Sequence, residues 1–300
     1  MGLNQGYSYC ETLGPSAAEL TVLEYLSQSY RHSSLDEWRS RVDEGLVLVD
    51  GRPAGREDVL RRGQTLVWRR PPWQEPPAPL VFAILHEDEH LLAVAKPTGL
   101  PTLPGGGFLN HTLLALVRRY SAEATPLHRL GRGTSGVMLW ARTGLARRRL
   151  LRDWQTKVRR VYRTLVQGVL GEDESTIETP IGLVPHPLLG TVFAATPLGK
   201  PSLSRVRLLE RRTDTSLVEV ELLTGRPHQI RIHLAAAGHP LVGDPLYAAG
   251  GVPKSGSRAL PGDLGYLLHA EQVQFPHPKT GRSVEVTCLP PPSLRDALTV

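Results

Sequence analysis

The sequence TGRPHQIRIHLAAAGHPLVGD spans residues 224–244 and carries the strongest structural pattern in this 300-residue chain. Pro227 suits the first turn of a helix, and Ile230 and Leu234 recur at helical spacing. Gly238, followed closely by a proline, is typical of a helix end. We therefore predict a helix here, with one apolar face and several basic side chains.

Three other stretches place polar groups next to a predicted strand. AVAKPTGLPTLPGGG at 93–107 has a strand before a lysine and a glycine-rich loop, but it lacks the residue order of a P-loop. HRLGRGTSGVMLWART at 128–143 has a glycine-rich turn that leads into an apolar strand. VRRVYRTLVQG at 158–168 has a basic segment that leads into a strand containing Tyr162.

The order and content of these four stretches resemble the RluA-type RNA pseudouridine synthases over about residues 80–290. TGRxHQIRxH followed by GHPxxGD is the most specific element. Arg160 stands where the family usually has lysine, and Gly131 occupies the aspartate position of HRLDxxTSG. The resemblance implies an α+β fold with a mixed, mainly antiparallel central sheet and flanking helices. It also implies a reaction that detaches uracil from ribose and rejoins it through C5, without cofactor or metal.

The same resemblance assigns roles to single residues. Catalysis is expected at the position of Gly131, at Tyr162, which would stack on the base and take the C5 proton, and at Arg231, which would pair with the aspartate and a phosphate. Contacts with RNA are expected from His128, Arg129, Arg132, Thr134, Ser135, Arg160, Arg226 and His228. The plain alternatives are a strand tyrosine packed in the core and a helix arginine on the surface.

Gly131 offers no group that could attack the ribose or accept a proton. Three hypotheses follow. The chain still isomerises uridine, using water or a carboxylate from elsewhere, for which Asp153 and Asp244 are candidates. Alternatively, it is a catalytically impaired RNA-binding protein on the same fold. The third hypothesis is that the chain acts on another glycosidic or nucleotide substrate. Loss of a central acid–base group costs on the order of 10²–10⁴ in rate, which argues against an unchanged mechanism.

The net charge of +6 is concentrated in one segment. Residues 118–163 carry 13 Lys and Arg against Glu123 and Asp153, which gives a local charge of +11. Such a concentration favours a polyanionic partner, and we expect rRNA or tRNA. A solvated basic helix face is the alternative.

Other classes are disfavoured by composition. No apolar run is long enough to span a bilayer, and there is no secretory signal pattern, so we expect a cytoplasmic protein without a membrane partner. Cys10 and Cys288 are too far apart in sequence for a CxxC motif, and His228, His233 and His239 match no metal-binding spacing. We expect no metal, no cofactor and a monomer.

The N-terminal region has a pattern of its own. Ser16–Glu19 and Ser34–Glu37 both match a capping box and predict two helices. A strand, an Asp50-Gly51 turn and a second strand follow, and the whole resembles an S4-like RNA-binding module. Residues 69–79 contain five prolines. We predict an S4-like module at 1–70, a linker at 71–79 and a pseudouridine synthase-like domain at 80–300.

Overall fold

A computed structural model describes residues 2–296 and divides the chain into two compact units. The first comprises residues up to 75 together with 187–190, and the second comprises 76–186 and the residues from 191 onward. The division at 75/76 falls within the proline-rich segment. The two units are described separately below.

The first unit is a small antiparallel sheet with two helices. Its sheet has the strand order β1-β4-β2-β3. Its elements are β1 (Tyr7–Thr12), α1 (Val22–Ser29), α2 (Leu35–Asp43), β2 (Val47–Val49), β3 (Arg52–Pro53) and β4 (Thr65–Arg70). The predicted pair of helices followed by strands is present, and so is the Asp50-Gly51 turn, in which both residues have positive φ. Strand β1 was not predicted, because its residues are mostly exposed and polar.

The predicted start of the first helix was wrong. Residues Pro15–Ala17 form one 3₁₀ turn, and Glu19 has a φ of 72°, which is incompatible with a continuous helix. Helix α1 begins after Thr21, whose side chain accepts a hydrogen bond from the backbone N–H of Glu24. A second Ser/Thr-x-x-Glu match, five residues downstream, therefore supplies the cap. The capping box at Ser34–Glu37 is confirmed at the start of α2.

The second unit is built on a ten-stranded sheet. Its main path runs β10-β13-β14-β9-β17-β8-β6-β5, with β18 paired to β17 and β7 to β8. These strands are β5 (Ala83–Glu87), β6 (Leu91–Lys96), β7 (Thr125–Pro126), β8 (Thr134–Ala141), β9 (Arg159–Gln167), β10 (Glu174–Ile177), β13 (Ser204–Arg211), β14 (Thr215–Leu222), β17 (Leu268–Pro276) and β18 (Ser283–Thr287). The other strands are β11 (Ile181–His186) with β12 (Gly190–Ala195), and β15 (Tyr247–Ala248) with β16 (Val252–Pro253).

One strand pair determines how the loops of this sheet meet. β17 and β8 are parallel, with Leu268 opposite Thr134, whereas the other described pairs of the sheet are antiparallel. In a parallel pair both strands begin at the same edge. The segments that precede β8 and β17 therefore lie side by side. The predicted mixed, mainly antiparallel sheet with flanking helices is confirmed.

Helices cover both faces of the sheet, namely α3 (Leu113–Tyr120), α4 (Gly144–Asp153) and α5 (Gln229–Ala236). Along β8, Met138 belongs to the apolar cluster that includes residues of α3 and α5. Its neighbour Leu139 belongs to the cluster that includes residues of α4. This alternation shows that the sheet is buried between two cores.

The predicted helix of residues 224–244 is present but starts later than expected. Pro227 precedes it, and His228 is its N-cap in the left-handed conformation, with a φ of 55°. Gly238 has a φ of 89° directly after the C-cap, as a helix stop requires. Among residues 2–296, no helix combines the length and the apolar character needed to cross a bilayer.

Candidate active site

The four stretches singled out in the sequence converge on one cavity of the second unit. Its volume is about 560 Å³, within the range of roughly 300–1,000 Å³ that is usual for small-molecule sites. The first stretch contributes residues 101–104, the second 128–132 and Thr134, the third Arg160 and Tyr162, and the fourth 225–231. Trp154, Gln155, Leu222, Pro261, Gly262, Tyr266 and Leu268 complete the lining. The lining residues include no aspartate and no glutamate.

The glycine-rich turn at residues 130–133 is held by the segment that follows β6. Thr102 donates its hydroxyl to the carbonyl of Leu130 at 2.9 Å, and Gly99 donates its N–H to that of Arg132 at 2.8 Å. Thr98 donates its hydroxyl to the carbonyl of Gly133 at 3.0 Å. Because these carbonyls all have partners, the turn is rigid and pre-organised.

Lys96 reinforces the same arrangement from below. Its Nζ is within 2.9 Å of the carbonyl of Pro97 and 2.7 Å of that of Leu100, and lies 3.4 Å from that of Arg132. Burial lowers the pKa of Lys96 to about 7. The sequence placed this lysine before a glycine-rich loop. In the structure it holds backbone carbonyls next to the turn at residues 130–133.

Tyr266 lies directly against this glycine-rich turn. A Cβ atom built on Gly131 would be 3.0 Å from Tyr266 Oη and 3.4 Å from Thr134 Oγ1. A Cβ on Gly133 would be only 2.8 Å from Cζ of the same tyrosine. Neither glycine has a positive φ, so the backbone conformation does not require glycine at either position. The missing side chains matter because each leaves space for Tyr266.

Arg231 is buried, at 2% exposure, and held by a complete set of partners. Its Nε and Nη2 donate to the two carboxylate oxygens of Asp244 at 2.6 and 2.8 Å, and Nη1 donates to the carbonyl of Pro261 at 2.8 Å. Its guanidinium lies 4.1 Å from the ring centre of Tyr266 and 4.9 Å from that of Tyr247. The resemblance implied a pair between Arg231 and the motif aspartate. Here the carboxylate comes from Asp244.

Asp244 is a saturated structural group. Besides Arg231, it accepts backbone hydrogen bonds from Leu246 and Tyr247. Burial alone would raise its pKa. The hydrogen bonds and charge of Arg231, together with the two backbone hydrogen bonds, outweigh burial and keep the pKa of Asp244 below its usual value. Asp153, the other candidate for a relocated carboxylate, pairs with Arg152 and Lys157 and is absent from the cavity lining. Neither aspartate therefore stands free to replace the missing group.

Tyr162 lies on β9 at the floor of the cavity. It is 8% exposed and belongs to the main apolar cluster. Tyr162 therefore packs in the core and also lines the cavity. Its hydroxyl forms no hydrogen bond with another residue in 2–296. Burial raises the pKa of Tyr162, while the nearby Arg160 opposes that rise. The phenol is consequently neutral and unpaired.

Arg160 is a buried cation at the cavity wall. Its Nη2 donates to the carbonyl of Leu222 at 3.2 Å and to Gln155 Oε1 at 3.4 Å, and its guanidinium lies 6.0 Å from the ring centre of Trp154. It forms no ion pair within residues 2–296, and its Nε has no hydrogen-bond partner there. A buried cation without a carboxylate partner is suited to an anionic ligand such as phosphate.

Two histidines of the site are neutral. Nε2 of His128 accepts a hydrogen bond from the backbone N–H of Leu139 at 3.0 Å, and burial, aided by Arg160, lowers the pKa of His128 to about 3. Nδ1 of His228 donates to Tyr247 Oη at 2.9 Å, because that hydroxyl itself donates to a carbonyl. Burial lowers the pKa of His228 to about 4. Both rings therefore shape the cavity without adding charge.

The remaining predicted RNA-contacting residues differ in position. Arg129 is exposed at the cavity, whereas Arg226 is partly buried there and donates to the carbonyl of Pro201. Arg132 packs its guanidinium 5.1 Å from the ring centre of Phe108. Thr134 lines the cavity. Ser135 does not, because successive residues of β8 face opposite sides of the sheet.

The side chain of Ser135 instead contacts His269, at 2.8 Å between Oγ and Nδ1. Its expected contact with RNA therefore has no support from its position.

The basic segment 118–163 is only partly neutralised by ion pairs. Arg142, Arg152, Arg159 and Arg163 are paired with acidic groups. Exposed arginines without an ion pair in the described chain are Arg118, Arg119, Arg129, Arg147, Arg148 and Arg149. Of these arginines Arg129 lines the cavity, and the others lie on α3 and α4. Positive charges without an ion pair suit a phosphate backbone. Within residues 2–296 there is no group of three or more His, Cys, Asp or Glu that could hold a metal.

Comparison with known proteins identifies the family. Residues 90–236 match the family described as RNA pseudouridylate synthase. An uncharacterized RNA pseudouridine synthase of Synechocystis sp. is 44% identical over 276 residues, which covers 91% of this chain and 95% of the relative. The chain belongs to the RNA pseudouridylate synthase family. The predicted RluA-type resemblance is thereby confirmed.

Two further comparisons agree with membership in the RNA pseudouridylate synthase family. RNA pseudouridine synthase 5 of Arabidopsis thaliana is 39% identical over 350 residues, covering 98% of this chain and 95% of that protein. The structure of human RNA Pseudouridylate Synthase Domain Containing 1 superposes with a TM-score of 0.59 at 26% identity, over 74% of this chain and 89% of the human one. The RNA pseudouridylate synthases are isomerases, and this chain is one of them by family.

Sequence reasoning missed one prominent residue of this site. Tyr266 lies in LGYLLHA, outside the four stretches, and only the parallel register of β17 with β8 brings it to the turn at Gly131. Asp244 was considered as a relocated carboxylate, but its role as the partner of Arg231 was not predicted. No local sequence pattern identifies either contact.

Proposed function

We propose that this chain isomerises uridine to pseudouridine in RNA within the cavity described above. The observation that carries the proposal is the convergence, in one cavity, of a neutral tyrosine on β9, an unpaired arginine beside it and a second arginine on α5. Gly131, Tyr162 and Arg231, the three predicted catalytic positions, all line that cavity. Membership in the RNA pseudouridylate synthase family supports the same reaction.

The proposed division of labour follows from the chemistry of the side chains. A target uridine must leave its stack before an enzyme can reach its glycosidic bond. Tyr162 offers a ring on which an extruded base stacks and a free hydroxyl near C5. Arg160 offers a buried positive charge for a phosphate, Arg226 a partly buried one and Arg129 an exposed one. The unpaired arginines of residues 118–163 supply the non-specific part of RNA affinity.

The finer features belong to the same proposal. We infer that the substrate is rRNA or tRNA, since one relative, 33% identical over 93% of this chain, is named ribosomal large subunit pseudouridine synthase D. We further propose a monomer in the cytoplasm, and domains at 1–70 (S4-like RNA-binding module), 71–79 (linker) and 80–300.

In the first unit, Arg41 lies 4.5 Å from the ring centre of Trp38, and stacked aromatic and guanidinium groups of this kind suit RNA.

A second candidate function has one specific observation in its favour. Because the cavity lining contains no carboxylate, a protein that binds an extruded uridine without chemistry would show the same lining. Such a protein would mask a site in RNA or act as an RNA chaperone.

Two measurements distinguish these functions. Purified protein is incubated with RNA that carries [5-³H]uridine, and tritium release reports isomerisation. In parallel, pseudouridines are mapped across the RNAs of the source organism before and after deletion of the gene. Tritium release together with the loss of a mapped site establishes the enzyme. Tight RNA binding with no release, and an unchanged map, establishes the binder and contradicts the proposed activity.

A further inference from the structure

Tyr266 occupies the space that a side chain at residue 131 would enter. The first bridged pair between β17 and β8 is Leu268 with Thr134, so Tyr266 lies two residues before one strand and Arg132 two residues before the other. The tyrosine Oη is consequently 3.0 Å from a Cβ built on Gly131. A hydroxyl group is thus present near the position where the family motif has its carboxylate.

The same residue accounts for both Gly131 and Gly133. A Cβ on Gly133 would approach Cζ of Tyr266 to 2.8 Å and Cε1 to 3.0 Å, which the ring cannot tolerate. A side chain at Gly131 would displace the hydroxyl by a few tenths of an ångström. The two glycines therefore make room for one aromatic ring, and the carbonyl contacts of the turn show that the site is ordered rather than decayed.

The hydroxyl of Tyr266 is chemically available. It forms no hydrogen bond with any residue in 2–296, although the residue is only 4% exposed and lines the cavity. The guanidinium of Arg231 lies 4.1 Å from its ring centre, where positive charge stabilises negative charge that develops on the phenol. The guanidinium of Arg231 is held in place, because its Nε, Nη1 and Nη2 all donate hydrogen bonds to Asp244 or Pro261.

We propose that Tyr266 is the nucleophile that replaces the missing carboxylate, an inference that rests on the function proposed above. Tyrosine is an established covalent nucleophile at anomeric carbons in other glycosyl-transferring enzymes. In the first step Tyr266 Oη forms a bond to C1′ of the target ribose while the C1′–N1 bond breaks. The electron pair of that bond goes to uracil, and the phenolic proton passes to the departing base.

The second step restores the tyrosine. After the base turns, C5 forms a bond to C1′, and the C1′–Oη bond breaks with its electron pair returning to oxygen. The proton on C5 is then removed by Tyr162 or by water and returns to the phenolate of Tyr266. The sum moves one proton from C5 to the base nitrogen and exchanges a C–N bond for a C–C bond, so no other reactant is consumed.

The test compares single-turnover tritium release from [5-³H]uridine RNA for the wild-type protein and for Tyr266→Phe. Phenylalanine keeps the ring against Gly133 and Arg231 and removes only an oxygen atom that has no hydrogen-bond partner among residues 2–296. We expect a rate loss on the order of 100-fold or more, with RNA affinity changed less than about threefold. Tyr120→Phe is the matched control, because Tyr120 lies on α3 outside the cavity and donates its hydroxyl to Glu87.

A double variant tests the shared position. Combining Tyr266→Phe with Gly131→Asp removes the oxygen that crowds residue 131 and supplies a carboxylate in its place. We expect this double variant to recover at least about tenfold over Tyr266→Phe alone. The proposal requires Gly131→Asp to raise the rate by a larger factor in the Tyr266→Phe background than in the wild-type background, and equal factors would contradict a shared position.

A second replacement covers the case in which Tyr266→Phe misfolds. 3,5-Difluorotyrosine at position 266 keeps the packing and makes the phenol more acidic, so the acidic limb of the pH–rate profile should move to lower pH. Wild-type activity retained by Tyr266→Phe, or an unmoved profile with difluorotyrosine, overturns the role of Tyr266 alone. A wild-type protein that binds RNA but releases no tritium overturns the proposed function and this inference together.

Discussion

Arg231 and Asp244 form a bidentate ion pair in which both side chains are at most 2% exposed. Nε and Nη2 of the arginine meet Oδ2 and Oδ1 of the aspartate at 2.6 and 2.8 Å. The pair fixes the guanidinium between the rings of Tyr247 and Tyr266. The cavity therefore has an immobile positive group, held by a carboxylate that has no remaining freedom to act on substrate.

Substitution of Asp244 should unfold the site rather than merely slow it. Asp244→Asn leaves the guanidinium of Arg231 buried without its counter-charge, and removing one partner of such a pair costs about 3–5 kcal/mol. We expect a large fall in the free energy of unfolding, measured by urea denaturation. A variant as stable as the wild type would contradict the structural role assigned to this pair.

Asp153 offers the comparison that separates structure from chemistry. Hydrogen bonds from Arg152, together with Lys157, lower the pKa of Asp153 to about 2, but the residue is absent from the cavity lining. We expect Asp153→Asn to release tritium from [5-³H]uridine RNA at the wild-type rate. Loss of activity in this folded variant would support Asp153 as the relocated carboxylate.

Gly131→Asp should restore a carboxylate without disturbing the fold. The backbone of Gly131 lies outside the left-handed region, and the nearest obstacle to a side chain is Tyr266 Oη at 3.0 Å. We expect tritium release to rise by about tenfold or more, since a positioned acid–base group typically contributes 10²–10⁴. Gly131→Asn is the control of equal size, and equal rates for the two variants would show that charge at this position has no effect.

Arg160 should act on RNA through its charge. Arg160→Met removes the buried cation, whereas Arg160→Lys keeps it and restores the residue usual in the family motif. For Arg160→Met we expect weaker RNA binding and a slope of log affinity against log salt that is smaller by about 0.7–1, the effect of one lost phosphate contact. If Arg160→Met binds RNA with an unchanged salt slope, this arginine contacts no phosphate.

Acid should destabilise the protein through its buried neutral histidines. Burial lowers the pKa of His228 and His233 to about 4 and that of His128 to about 3. Below about pH 6.5 the unfolded chain binds protons that the folded state refuses, so stability is complete above that pH and is lost towards pH 4. Each histidine contributes at most about 1.4 kcal/mol per pH unit.

Urea denaturation at pH 7, 6, 5 and 4 measures this effect. His233 is the informative position, because it is fully buried and lies outside the cavity lining. His233→Gln should flatten the pH dependence even if it lowers stability at pH 7. An equally steep dependence in that variant would show that His233 is protonated in the fold.

Local patterns predicted much of the fold, whereas the geometry of the site depended on long-range register. The strand containing Tyr162 and the helix containing Arg231 could be read from periodicity and helix-stop residues. The first capping box was misplaced because two Ser/Thr-x-x-Glu matches compete within nine residues, and only tertiary packing selects Thr21. The sequence predicts an RNA contact for Ser135, whereas its side chain contacts His269, because the face that a strand residue presents depends on tertiary packing.

The contacts that distinguish this chain were beyond single-sequence reasoning. Tyr266 meets Gly131 only because β17 and β8 are parallel, and no spacing rule links residues that far apart. The sequence shows Asp244 as an acidic residue after a helix. Its ion pair with Arg231 could not be predicted, because it depends on the burial of both side chains.

The parallel pairing of β8 with β17 also governs when the molecule becomes competent. Ser135 and His269, neighbours across that pair, are 134 residues apart in sequence, so closing this contact carries a high loop entropy. During translation the catalytic cleft stays incomplete until β17 has left the ribosome. Nascent chains halted before that point carry the basic segment 118–163 but lack Tyr266 and Leu268, two residues of the cavity lining.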